Sequence, residues 1–260
     1  MQSWGLTDVG CVRKQNQDAF HIEKLGRGAL LCVVCDGMGG AKSGNVASSL
    51  AVDVFVQEVK RSWSHNADWD KTDMILRSAV KLANFTVYDQ ANQFEEFEGM
   101  GTTLTACMLE NERLVIAQVG DSRAYLLHHG KLQQLTRDHS LMADMIEAGQ
   151  LTPEEARHHP QRSVITRALG SDPNTRPDMY EINVETGDRL LVCSDGLSSM
   201  IEDEQIEAVM RRVPDPQRCA SQLVNEAIAA GGHDNVTVIV SNVTGFAEKR
   251  RRKLARKTKF

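Results

Sequence analysis

Four aspartates stand at the ends of apolar runs. Asp36 follows "ALLCVVC", Asp121 follows "LVIAQVG", Asp195 follows "RLLVCS", and Asp234 sits just ahead of "VTVIVSNV". A carboxylate at the end of a buried strand costs several kcal/mol when it is desolvated without a partner, and several brought together repel one another. A cation between them removes both penalties. Oxygen-only ligands favour hard ions, so the pattern points to magnesium or manganese rather than zinc, which recruits His or Cys. Taken singly, each aspartate reads as well as a turn residue, Asp-Gly being an ordinary turn dipeptide. It is the repetition that carries the metal reading.

Two further features belong to the same chemistry. Gly37, directly after Asp36, has no side chain, so its carbonyl can approach an ion held by that aspartate, and Gly39-Gly40 allow a tight turn beyond it. The N-terminal stretch "TDVGCVRKQNQD" brings Asp8, Arg13 and Asp18 into a short span. A guanidinium beside a metal cluster suits phosphate, because its planar fork pairs two phosphate oxygens. A surface ion pair with a neighbouring carboxylate is the alternative. If residues 11–22 run as a strand, Arg13 and Asp18 fall on opposite faces, and a bend or a rim position is needed for both to reach one site.

The elements that must position these residues alternate between short β-rich runs and long helical patterns. Residues 29–35, 114–120, 189–194 and 236–243 read as strands, being short, apolar and bounded by turn residues. Ser43 is placed to cap a helix with Val46, Ala47, Leu50, Ala51 and Val54 on one face. A second helix spans 72–93, with Ile75, Leu76, Ala79, Leu82, Ala83 and Val87 as its apolar stripe, and two more cover 204–212 and 216–230. Residues 137–178 are polar, carry prolines and hold only short helical pieces, as an insertion over the surface would. By itself the alternation suggests a parallel α/β sheet.

Composition sets outer bounds. The chain has 260 residues, 41% of them hydrophobic, enough for a sizeable core. Neither a membrane-length apolar run nor a secretion-signal layout at residues 1–10 is evident, so a cytosolic location is expected. The net charge of −5 hides an asymmetry, because 8 of the 30 basic residues lie between Lys249 and Lys259. The acidic remainder speaks against nucleic acid as a partner. The basic tail reads either as a solvated segment or as a contact for anionic lipid or a partner. Cys32 and Cys35 have the C-x-x-C spacing of a zinc or redox pair. On a strand their odd separation sends them to opposite faces, so they are expected to be reduced core residues.

In order along the chain, T-D-x-G-x-x-R-x-x-N-Q-D at 7–18, V-x-D-G-M-G-G at 34–40, G-T-T at 101–103, G-D-S-R at 120–123, S-D-G at 194–196 and G-x-D-N-V-T at 232–237 resemble the metal-dependent protein phosphatases of the 2C type, in their bacterial branch. The resemblance covers about residues 4–244. It implies an α+β fold of four layers (α/β/β/α), an antiparallel β-sandwich with helices on both outer faces. That expectation overrides the parallel sheet. It also implies a phosphatase domain over 1–245, a flap at about 137–178 within it, and a separate basic tail at 246–260.

Carried over position by position, the resemblance makes Asp36 the bridge between two Mn2+ or Mg2+ ions. Gly37 offers its carbonyl to one of them, Asp195 and Asp234 complete the set, and Asp18 acts through a water. Asp121 would hold a third ion together with Asp195, and Arg13 would grip the substrate phosphate. Where many eukaryotic members have a histidine this chain has Met38, as bacterial members do, which leaves a water on the third ion as the expected proton donor. The implied reaction is hydrolysis of phosphoserine and phosphothreonine on proteins, a metal-bridging water attacking phosphorus in line. Phosphoprotein substrates that include a Ser/Thr kinase, a monomeric state and a weak anionic-membrane contact through the tail are the expected associations. A catalytically silent phosphatase-like module and an enzyme for small phosphomonoesters are the rival readings; the full set of aspartates argues against the first.

Overall fold

The computed structural model describes residues 1–26, 28–39, 43–64 and 68–244. Gly40 and the basic tail lie outside the described residues. The elements, in chain order, are β1 (Gln2–Asp8), β2 (Asp18–Leu25), β3 (Ala29–Met38), α1 (Gly44–Ser62), α2 (Trp69–Gln93), β4 (Gly101–Thr102), β5 (Leu104–Glu110), β6 (Arg113–Val119), β7 (Arg123–His128), β8 (Lys131–Gln134), α3 (Leu141–Glu147), α4 (Pro153–Arg157), β9 (Asp178–Asn183), β10 (Arg189–Cys193), α5 (Asp195–Ser198), α6 (Asp203–Arg212), α7 (Pro216–Ala229) and β11 (Val236–Asn242).

The strands form two sheets, one ordered β1-β11-β10-β7-β8 and the other β2-β3-β5-β6-β9 with β4 attached to β3. Every strand pairing among the described residues is antiparallel. The parallel sheet suggested by the strand and helix alternation is therefore not what forms. A single crossover helix returns the chain to the start of a parallel neighbour. Here the helices come in pairs, α1 with α2 and α6 with α7, and a pair brings the chain back to the end it left. The remaining turns are tight hairpins, such as Asn111-Glu112 between β5 and β6.

Three apolar clusters separate four layers. Alternation along β3 shows how one strand serves two of them. Leu31, Val33 and Cys35 face α1 and α2, packing with Ala47, Ala51, Phe55, Leu76 and Ala79. Leu30, Cys32 and Val34 face the other sheet, against Leu190, Val192 and Ile239. Beyond that sheet, Leu191, Val238 and Val240 meet Ile206, Leu223 and Val224 of α6 and α7. Cys32 and Cys35 thus lie in different clusters, as their odd separation requires, and both thiols are free. Burial pushes the Cys32 thiol up to about 12. One expected core position fails: Leu82 of α2 is 41% exposed, while Ile75, Leu76, Ala79, Ala83 and Val87 are buried.

The register places functional ends together. Asp18 pairs with Asp36 across β2 and β3, and Cys193 lies between Arg123 and Val238. The aspartates and Arg123 therefore gather at one end of the sandwich. At the other end β11 runs out beside β10, where the Val243 amide donates to the Asp188 carbonyl (2.9 Å) and accepts at its own carbonyl from Gly187 (3.0 Å). Among the described residues, no helix is long and apolar enough to cross a membrane.

Candidate metal centre

Asp36 sits near the end of β3 with its backbone fixed on both sides. Its amide donates to Thr103 Oγ1 (2.9 Å). Its carbonyl accepts from Thr102 Oγ1 (2.9 Å) and from the Thr103 amide (2.9 Å). The G-T-T segment is thus a clamp on the aspartate's main chain, leaving the carboxylate to point elsewhere. Gly37 is squeezed: a Cβ there would lie 2.1 Å from the Gly44 carbonyl oxygen and 2.6 Å from that of Gln17. Only glycine lets β3, the start of α1 and the Arg13 loop close on one another.

Asp18 is held by hydroxyls from the facing sheet. Ser194 Oγ (2.8 Å) and Thr237 Oγ1 (2.6 Å) both donate to its Oδ2. Because Thr237 spends its proton on Asp18, Thr7 Oγ1, 2.7 Å away, must donate to Thr237, and Asn16 Nδ2 donates in turn to Thr7 (2.8 Å). Asp18 is thereby tied to β1, to β11, to the residue that follows β10 and to the Arg13 loop.

That loop, residues 9–17, is not a strand, and β2 begins only at Asp18, so the chain bends here instead of running extended over 11–22. Asp8 Oδ1 accepts from the Gly10 amide (2.8 Å) and turns the chain at once. Asn235 then pins the loop at three points: its Nδ2 donates to the carbonyls of Val9 (3.0 Å) and Gln15 (3.1 Å), and its Oδ1 accepts from the Gln17 amide (2.8 Å). The bend is what brings Arg13 to the aspartates, where Nη2 donates to Asp234 Oδ2 at 2.7 Å. That hydrogen bond, with the charge of Asp234, raises the pKa of Arg13 above its usual value.

Asp195 opens α5 directly after β10, and Asp121 follows β6 through Gly120. Thr103 Oγ1 and Ser122 Oγ, 2.8 Å apart, tie the Asp121 turn to the clamp on Asp36.

The electrostatics are those of unneutralised carboxylates. Burial pushes Asp18 up to about 7, against the pull of its two hydroxyl donors, with Asp195 and Asp234 adding to the rise. Burial and the charges of Asp18, Asp195, Asp121 and Asp234 raise Asp36 far above the carboxylate range. Asp121 is raised strongly by burial and by Asp195, and Asp195 by burial and Asp234. Asp18, Asp36, Asp121, Asp195 and Asp234 therefore occupy one electrostatic neighbourhood, with Arg13 at its rim. Among the described residues no three of His, Cys, Asp or Glu stand tightly enough to cage an ion as they are. Their fit to divalent cations rests on the donor set itself, all carboxylate, and on two buried oxygens, Oδ1 of Asp18 and Oδ1 of Asp195, that have no hydrogen-bond partner among the described residues. Such atoms are costly to bury unless something positive meets them.

From this centre a cleft of about 680 Å³ runs under the segment that carries α3 and α4, lined among others by Asp121, Asp195, Asp234, Arg137, Met142 and Arg162. Residues of 137–163 therefore overhang the aspartates at the cleft, and the helices α3 and α4 within 137–178 are short. Sequence reasoning missed Ser194, Thr237 and Asn235 as supports. They lie inside quoted motifs, but their partners are more than 170 residues away.

The sequence pattern described as Protein phosphatase 2C matches residues 12–229. The chain is 38% identical over 242 residues to the serine/threonine protein phosphatase PstP of Mycobacterium tuberculosis, covering 92% of this chain and 44% of that protein. The chain thus spans less than half the length of that curated relative. Its structure is similar to that of the serine/threonine phosphatase Stp1 from Staphylococcus aureus (TM-score 0.88, 35% identity, 94% of this chain and 95% of that one). It is also similar to the catalytic domain of PstP in complex with two manganese ions (TM-score 0.82, 34% identity, 94% and 98% covered).

Proposed function

Since this chain belongs to the protein phosphatase 2C family, we propose that it is a metal-dependent hydrolase that removes phosphate from serine and threonine side chains of proteins. The observation that carries the reading is the convergence of Asp18, Asp36, Asp195 and Asp234, with unpartnered buried oxygens on Asp18 and Asp195, beside the guanidinium of Arg13. The manganese ions named for the PstP catalytic domain support the choice of cofactor.

Asp36, Asp195, Asp234 and the carbonyl of Gly37 would hold two Mn2+ or Mg2+ ions, Asp18 would act through a water, and Asp121 with Asp195 would hold a third. When bound, such ions make hydroxide available near neutral pH for attack on phosphorus. The protein's own groups do the rest. Arg13, exposed at the rim and fixed by the Asn235 clamp, binds and partly neutralises the phosphoryl oxygens as negative charge moves to the leaving alkoxide. The hydroxyls of Ser194 and Thr237 hold one oxygen of Asp18 and so aim the other at the centre. The names of its relatives, serine/threonine protein phosphatase and serine/threonine phosphatase, support a phosphoprotein substrate over a small phosphomonoester. Met38 has no proton to give, so the leaving oxygen takes its proton from solvent at the centre.

A Ser/Thr kinase among the substrates, a monomeric state and contact of the basic tail with anionic lipid belong to the same proposal; removal of residues 249–260 should lower binding to anionic vesicles and leave peptide turnover intact. The deciding assay is hydrolysis of a phosphothreonine peptide with Mn2+ and after exhaustive chelation. Turnover that survives demetallation overturns the reading.

A further inference from the structure

His139 is a buried histidine, 1% exposed, at the base of the overhanging segment, and nothing in the reaction above uses it. Its neighbours are unusual. Nδ1 accepts from the Gly120 amide at 3.0 Å, so the proton resides on Nε2, which donates to Asp178 Oδ2 at 3.1 Å. The His139 amide returns to the Gly120 carbonyl at 3.0 Å. Both main-chain groups of Gly120 are therefore held by one residue. The same carbonyl also accepts from Gln118 Nε2 (2.9 Å), whose Oε1 accepts from the Tyr180 hydroxyl (3.1 Å).

Gly120 is the residue that turns β6 into Asp121. Its φ of +102° lies in the region that favours glycine. A Cβ there would stand 2.5 Å from Thr103 Cγ2, a methyl of the clamp on Asp36. The turn is closely confined, and His139 holds both of its main-chain groups, with Gln118 sharing the carbonyl. On the other side, the His139 carbonyl accepts from the Thr166 amide (2.8 Å), and Arg167 Nη1 donates to the second oxygen of Asp178 (2.6 Å). The imidazole thus joins the two strands of chain at the root of the overhang to the turn that presents Asp121. Burial lowers the pKa of His139, which favours the neutral ring this arrangement needs.

We propose that His139 is a positioning residue: its imidazole fixes the Gly120 turn and so sets the direction in which Asp121 offers its carboxylate to the third ion. The inference rests on the reading of Asp121 as a third-ion ligand. Losing such an outer partner typically weakens metal affinity by about 10- to 100-fold.

The test is a Mn2+ titration of the full chain, with free Mn2+ read by electron paramagnetic resonance and no substrate present. Wild type, Asp121→Ala, His139→Ala, His139→Asn and His139→Gln are compared. The third ion, served by two carboxylates against the larger donor set of the other two, forms the weaker class of sites, so Asp121→Ala should abolish that class and leave the tight class. His139→Ala should loosen the weaker class by at least about 10-fold with the tight class unchanged. Asn places an oxygen where Nδ1 stood and can accept from Gly120, whereas Gln reaches toward Asp178 and cannot. His139→Asn should therefore restore the weaker class toward wild type, and His139→Gln should not. Should His139→Ala lose its thermal transition, the Asn and Gln variants decide between them, and equal affinities in the two overturn the proposal. Unchanged weak-class affinity in His139→Ala, with the class abolished in Asp121→Ala, overturns the role of His139 alone. A weaker class that survives in Asp121→Ala overturns the reading of Asp121 and the inference with it.

Discussion

Arg13 Nη2 meets Asp234 Oδ2 at 2.7 Å across a sequence separation of 221 residues. The same guanidinium that neutralises a carboxylate of the cluster is exposed on its outer side, where a phosphoryl group would arrive. Replacing it should therefore be felt mainly in substrate binding. Arg13→Ala is expected to lower kcat/KM for a phosphothreonine peptide by about 10- to 100-fold, mostly through KM, since a hydrogen bond to a charged group is worth about 1.5–3 kcal/mol. Arg13→Lys should recover only part, lacking the planar fork. A loss confined to kcat would argue against a binding role.

Asp195→Asn should separate function from stability. Turnover of the peptide is expected to vanish, because an oxygen donor of the centre is lost. In chelator at pH 8 the variant should melt higher than wild type, by about 2–4 °C for relief of roughly 1 kcal/mol of repulsion. Differential scanning calorimetry checks the second half, and wild-type-like turnover would refute the assignment of Asp195 to the metal.

The pH dependence of the demetallated protein follows from Asp18. Its folded pKa is about 7 against an ordinary value of 3.8. A carboxylate raised on folding contributes stability that is fully present below its unfolded value and is lost as pH rises through the folded one. In EDTA the melting temperature should fall between about pH 4 and pH 7. With saturating Mn2+ the trend should reverse, since the ion competes with those protons. A flat profile in EDTA would contradict the burial of this group.

Thr237→Val removes one of the two hydroxyls donating to Asp18. At pH 8, where that carboxylate is charged, the cost should be about 1.5–3 kcal/mol in urea unfolding. At pH 5, with Asp18 protonated, it should be smaller. An equal loss at both values would show that packing, rather than the hydrogen bond, is at stake.

Gly37→Ala should be disproportionate to its one methyl. The Cβ would face two main-chain oxygens, of Gly44 and Gln17, and neither can rotate away. Overpacking of this kind costs about 1–3 kcal/mol or more, and both the Arg13 loop and the start of α1 would have to shift. Chemical denaturation and Mn2+ binding should both report it.

What the sequence disclosed was local. Asp36, Asp121, Asp195 and Asp234 announced themselves because each interrupts an apolar run, a signal contained in a few neighbours. The strands and paired helices were legible for the same reason. Orientation was not, because whether β5 lies parallel or antiparallel to β3 depends on α1 and α2 acting as a pair. The supports of the centre were hidden more deeply. Nothing near Thr237 or Asn235 announces a partner in Asp18 or Gln17, which the register of β1 against β11 and of β2 against β3 supplies. Arg13 has a readable target in the sequence but no readable path, since its reach depends on Asn235 bending residues 9–17. Leu82 shows the converse error: a helical stripe gives a direction, and how wide the covered arc is depends on what packs there.

The departure of the chain after β11 has its own geometric meaning. Val243 is fastened to Gly187 and Asp188, while Asp234 and Asn235, at the other end of the same strand, take part in the centre. Seven residues of β11 separate the two, a span of roughly 20 Å. Val243 therefore stands at the pole opposite the aspartates, so the turn at Gly187 and Asp188 is coupled to the mouth only through the length of the strand that carries Asp234 and Asn235.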